Sequence, residues 1–197
     1  MKRNDAISEK IQPQAGNFSL SPKGTVYISA KDSEDFPFEP GENPLSIIDG
    51  MKFYFIQDRF FLYGISSKTK GNFYSTSYQK TSDEITLWER SGEQSKQVAK
   101  DTPTNLKRDF KLSTGVIVTT AIQVDDAFYC VDLKLQASSR SEWIDFLNQC
   151  RRDRNFADFT IEPGSDKDFG TVYRFKRHGI DPDPELQSFI DKIESEI

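Results

Sequence analysis

An acid and a lysine two residues apart, Asp132 and Lys134 in "VDLKL" (131–135), make the most suggestive catalytic pairing in the chain. Strand alternation puts both on one face. There the carboxylate could hold a divalent cation while the ammonium steadies an attacking water, the machinery of phosphodiester cleavage. The other acids in reach, Asp125 and Asp126, fall in the adjoining turn, an unusual spacing for that chemistry. A solvated cross-strand charge pair is the simpler reading, because short acid-x-Lys matches arise freely by chance.

Other catalytic patterns fare worse. His178 is the sole histidine and precedes Gly179 in a turn, with no nucleophile elbow elsewhere. The 11 glycines are scattered singly, so no phosphate-cradling loop is present. "SDKD" (165–168) is a fragment of a calcium loop without the remaining ligands. Cys130 and Cys150, the only two cysteines, cannot supply a structural zinc site with one histidine and read as core residues of a reducing compartment. The expectation is a non-enzyme with no catalytic residue, no metal and no cofactor.

Residues suited to binding are better represented. In "NFYSTSYQK" (72–80), alternation puts Tyr74, Thr76, Tyr78 and Lys80 on one face, opposite Phe73 and Ser75. In "EITLWERSG" (84–92), Thr86, Trp88 and Arg90 oppose Ile85 and Leu87. Tyrosines and a tryptophan in register with Lys80 and Arg90 are what a strand needs to stack bases and hold phosphates. Lys107 and Arg108 in "NLKRDFK", and Arg174 and Lys176 in "TVYRFKR", would flank such a groove. The plainer alternative is a Trp lidding a core edge with Arg90 over it.

Charge distribution points the same way. Residues 51–110 carry 10 basic and 7 acidic side chains, whereas 1–50 carry 5 and 8, and the whole chain is net −5. The middle is thus the one basic segment, which suits an anionic partner. It also contains "MKFYFIQDRFFLYGI" (51–65), with six aromatic residues on both faces of a strand ribbon. Rings on both faces imply cover on both sides, so these are read as core.

The elements that must position these groups follow from hydrophobic periodicity. Strands are expected at 24–30, 51–56, 59–65, 72–80, 84–90, 114–124, 126–138 and 170–179, the long pair turning at "VDD" (124–126). Residues 1–19 read as a flexible arm, 31–44 as an acidic Pro/Gly-broken loop, and 91–109 as a long polar loop. Ser139 and Glu142 have capping-box spacing ahead of a stripe of Trp143, Phe146, Leu147 and Cys150. A second helix, 183–197, is capped by Asp183 with Pro184 first, and its stripe is Leu186, Phe189, Ile190, Ile193 and Ile197. That stripe docks on the β-domain or, alternatively, on a partner or a second copy. The fold expected is α+β and mainly antiparallel: an OB-like or related small β-barrel over 20–180, followed by the amphipathic helix 181–197. With no apolar run long enough for a membrane span and no leader-like start, a cytoplasmic location away from membranes is expected.

The order from "PLSIIDGMKFYF" through "FYCVDLKLQASSRSEWIDFL" to "GTVYRFKR" and an acidic helix resembles accessory proteins of phages, plasmids and cyanobacteria. Those proteins have OB-like single-stranded-DNA-binding folds. The resemblance is one of layout and transfers no individual residue. It implies single-stranded nucleic-acid binding in replication, recombination or mobile-element biology. The alternatives are a protein-interaction module of phage or mobile-element assembly or defence and, furthest off, a metal-dependent nuclease centred on Asp132 and Lys134.

Overall fold

The computed structural model describes residues 18–19, 26–30, 50–92, 94–153, 158–166 and 170–196. Of the expected arm (1–19), residues 1–17 lie outside them and Phe18–Ser19 instead form a strand; the acidic loop (31–44) also lies outside them. Among the described residues, ten strands and three helices appear in the order β1 (Phe18–Ser19), β2 (Val26–Ala30), β3 (Phe53–Ile65), β4 (Asn72–Ser75), β5 (Ile85–Ser91), β6 (Gln94–Asp101), α1 (Pro103–Phe110), β7 (Ser113–Val124), β8 (Ala127–Leu135), α2 (Ala137–Asp153), β9 (Asp158–Asp166), β10 (Gly170–Arg177) and α3 (Pro184–Glu196). The fold is α+β, and every strand ladder resolved in register is antiparallel. The strands do not close into the expected barrel: among the described residues β6 pairs only with β5, and β1 only with β2.

Two compact units are present. Their boundaries fall inside β3, after Gln57, and inside β7, after Ile117, so both long strands run through both units. In the unit containing 118–197, the rings of Phe55, Phe146, Phe159 and Phe175 gather around Trp143 of α2. Trp143 lies 5.3 Å from Phe159 and 5.1 Å from Phe175, centroid to centroid, and Phe53 stacks on Phe159 at 5.5 Å. The stripe Trp143, Phe146, Leu147 and Cys150 is buried as its spacing requires. On the opposite face of β3, Tyr54 and Ile56 join Ala121 under Leu186, Ile190 and Ile193 of α3. Strand alternation sends odd and even residues of β3 to different helices, hence the two-sided aromatic pattern.

The unit containing 58–117 has the order β3-β4-β5-β6. Leu62, Tyr78, Ile85, Leu87, Leu106 and Leu112 form its core on one face, roofed by α1. The polar stretch 91–109, expected as a loop, instead forms β6 and α1. Its few apolar residues hid them: only Val98, Ala99, Pro103 and Leu106 turn inward. Gln94, Ser95, Lys96 and Gln97 are all exposed, as an edge strand allows. Asp101 stands just before α1, accepting from the Thr102 N–H (2.6 Å) and Asn105 Nδ2 (3.0 Å), bonds that lower its pKa.

Two local expectations differ. Ser139 is not a cap; α2 begins at Ala137, with the Arg140 N–H donating to the Gln136 carbonyl, and Ser139 is buried in the first turn. The hairpin β9–β10 extends a strand expected only at 170–179, because "DFTIEPGSD" contains Pro163 and Gly164 and reads as loop. The Asp125–Asp126 turn stands as read, Asp125 adopting φ 53°, which aspartate tolerates. Because Trp143 is fully buried at the meeting of four rings, Trp143→Ala is expected to cost about 3–5 kcal/mol in urea unfolding.

Candidate interaction face

The outer face of the 58–117 unit carries the surviving part of the expected platform. Tyr74 on β4 is paired with Tyr63 on β3 and with Trp88 on β5, a three-residue row across three strands. At the usual strand spacing it spans about 10 Å. The next row is Ile65, Asn72, Arg90 and Ser95. Tyr63, Tyr74, Trp88 and Arg90 are half-buried, and Ile65 is 73% exposed. Gly71 fixes the approach of the β3–β4 turn, since a Cβ there would lie 2.9 Å from the Arg90 carbonyl oxygen. Arg90 donates from Nε to the Gly92 carbonyl at 3.1 Å.

Tyr78 is not part of this face. It is buried on the core side, its ring 5.9 Å from Phe60. Alternation fails because β4 stops at Ser75. The Ser75 hydroxyl accepts the Leu62 N–H (2.8 Å) and donates to the Thr76 carbonyl (2.8 Å). Pairing with β3 resumes only at Tyr78, which exchanges two 2.8 Å backbone bonds with Phe60. Ser75 and Tyr78, three residues apart, therefore both point inward.

The basic residues expected around the rings are dispersed. Lys80 is exposed in the turn closed by Asp83, whose Oδ2 accepts the Lys80 N–H at 2.9 Å. Lys107 and Arg108 are exposed on α1, which covers the opposite, core-side face. Arg108 is paired with Asp109 at 2.8 Å, which raises its pKa. Arg174 and Lys176 project from β10 in the other unit, and Lys176 pairs with Glu162 at 3.3 Å. Beside the aromatic row itself stand Arg90 and Lys100, the latter bridged to Glu84 at 2.7 Å, with Lys68 and Lys70 exposed in the turn after Ile65. Sequence reading missed Ile65 and Tyr63. Both sit in the aromatic run read as mostly core, although Ile65 is its last residue before a turn.

The helix residues Leu186, Ile190 and Ile193 are buried on their own unit, with Phe189 5.7 Å from Phe128. Ile197 lies outside the described residues. The Leu186 N–H donates to Asp183 Oδ1 at 2.8 Å, so Asp183 is the expected N-cap.

Asp132 and Lys134 share a face of β8 as expected. Asp132 Oδ1 accepts from the Thr119 hydroxyl at 2.6 Å, and Lys134 is half-buried, its ammonium brought down to about 8 by desolvation. Asp125 and Asp126 remain exposed, and no three potential ligands come together around a metal position among the described residues. His178 Nε2 shares a 2.9 Å hydrogen bond with the Thr160 hydroxyl. Both cysteines are free thiols. Among the described residues no helix is long and apolar enough to cross a membrane. Comparison with family models, with curated proteins and with solved structures finds no match.

Two outcomes follow. Tyr78→Ala should cost about 3–5 kcal/mol of stability, whereas Trp88→Ala should cost roughly 1 kcal/mol or less, both read from urea midpoints. Lys134 titrates below its unfolded value, so between about pH 8 and pH 10 the unfolded chain binds more protons and stability rises with pH. Lys134→Met should abolish that rise in unfolding curves taken at pH 7, 8 and 9.

Proposed function

We propose that the protein is a binding module that docks a protein partner on the outer face of the 58–117 unit. The observation that carries this is Ile65, 73% exposed in the row beside Tyr63, Tyr74 and Trp88. A branched aliphatic side chain offers no π-face for a base to stack on, but it fills a pocket in a partner. Tyrosine, tryptophan and arginine are the residue types that dominate protein interfaces. Arg90, in the row of Ile65, and Lys68 and Lys70, exposed in the turn that follows it, favour a partner presenting an apolar group flanked by carboxylates. The β6 edge is a poorer site, because Lys96, Lys100 and the register shift opposite Leu87/Trp88 are features that discourage strand addition.

Single-stranded nucleic acid at the same face is the second reading. Its support is the cross-strand pairing of Tyr74 with Trp88 and the adjacent Arg90. It carries the likeness to OB-like accessory proteins at the level of function, and a closed barrel is not a requirement for it.

The two readings are separated by one set of titrations. A partner identified from the source cell and then purified should bind the wild type, and Ile65→Asp or Trp88→Ala should weaken it about tenfold or more at unchanged fold. A labelled oligothymidine of roughly 20 nucleotides should show no salt-dependent affinity. Oligonucleotide binding that weakens with salt, and by about 1–3 kcal/mol in Trp88→Ala, would instead establish the second reading.

A further inference from the structure

α3 rests on Tyr54, Ile56, Ala121, Phe128 and Cys130 through Leu186, Phe189, Ile190 and Ile193. The connection into it, 178–183, has no regular secondary structure, and His178, Gly179, Ile180 and Asp181 are exposed. It is tethered where the Ile180 N–H donates to Asp158 Oδ1 at 2.9 Å. Asp158 is fully buried, and among the described residues nothing donates to its Oδ2. Tyr54, its ladder partner, has its hydroxyl held neutral by burial first and then by the Asp158 and Asp183 carboxylates.

The docked helix therefore keeps a carboxylate out of water with one oxygen unsatisfied. That penalty vanishes once the connection lifts and water reaches Asp158. At the other end, the last turn carries Glu194 and no basic residue, and the helix dipole disfavours an acid there. Apolar burial holds the middle of α3, and electrostatics loosen both ends.

We propose that α3 is a hinged strap that swings off its sheet face about the 178–183 connection while the α2-covered core stays folded, baring Tyr54, Ile56, Phe128 and Cys130. An ordinary packed helix would open only with its whole unit. Cys150, buried on the inner face of α2, supplies an internal control for the core, whereas Cys130 beside α3 is only half-buried with the helix docked.

The test is hydrogen exchange of the intact protein together with peptide-resolved maleimide labelling under native conditions. α3 amides should exchange about tenfold or more faster than β8 amides while Cys150 stays unlabelled. Asp158→Asn keeps an acceptor for Ile180 and removes the buried charge, so it should slow α3 exchange about tenfold. Asp183→Ala removes the cap and should speed α3 exchange roughly fivefold, leaving Cys150 labelling unchanged. Equal exchange of α3 and β8, or an Asp158→Asn variant whose α3 exchanges as fast as wild type or faster, overturns the strap. If Asp158→Asn does not fold, Asp183→Ala decides: faster α3 exchange at constant Cys150 labelling supports the strap, and joint acceleration of both overturns it.

Discussion

Burial of β3 on both faces is the constraint from which most of the packing follows. A strand buried on one side needs only alternate apolar residues, and its other face is free to vary. Phe53–Ile65 has no such freedom over its first half. Its odd residues fill the aromatic cluster around Trp143, and its even residues fill the layer beneath α3. Two helices of very different character are therefore both required by one strand. α2 buries a Trp and a Phe in a ring cluster, whereas α3 offers mainly aliphatic groups to Tyr54 and Ile56. Farther along, Phe60 and Leu62 turn to the core of the 58–117 unit, and the alternation ends with Ile65 in solvent.

How much of this was legible depended on whether one rule governed a segment from end to end. The α2 stripe and the Asp183–Pro184 start of α3 followed directly from spacing, because the buried face and the cap are set by residues three and four apart on one helix. The 72–80 strand failed at one atom. Ser75 Oγ takes the Leu62 N–H that a main-chain carbonyl would otherwise accept, and the pleat slips by one residue before Tyr78. A serine hydroxyl substituting for a carbonyl leaves no trace in hydrophobic periodicity. β6 and α1 were hidden for the opposite reason. Their stability comes from pairing with β5 and from a single buried leucine, Leu106, not from an apolar pattern of their own. The candidate face was half legible: Tyr74, Trp88 and Arg90 belong to it, but Ile65 was concealed by the apolar run it terminates.

Charge is where sequence and structure part most usefully. The excess of cations between 51 and 110 is real, but a linear count cannot know which side of a sheet each one occupies. Lys107 and Arg108 ride on the helix that roofs the core face, and Lys80 is held in a turn by the backbone contacts of Asp83. Near the aromatic row stand Arg90 and the bridged Lys100, with Lys68 and Lys70 exposed in the turn after Ile65, while the half-buried Arg59 shares the odd-numbered face of β3. A nucleic-acid groove draws its affinity chiefly from many phosphate contacts acting together, so dispersal weakens it steeply. A protein interface draws its affinity from a few desolvated anchors, and peripheral charges mainly steer the encounter. The same residues that are too few to grip a polyanion are enough to orient one acidic rim around Ile65. That difference in how affinity accumulates, more than the identity of any ring, favours a protein over a strand of nucleotides on this face.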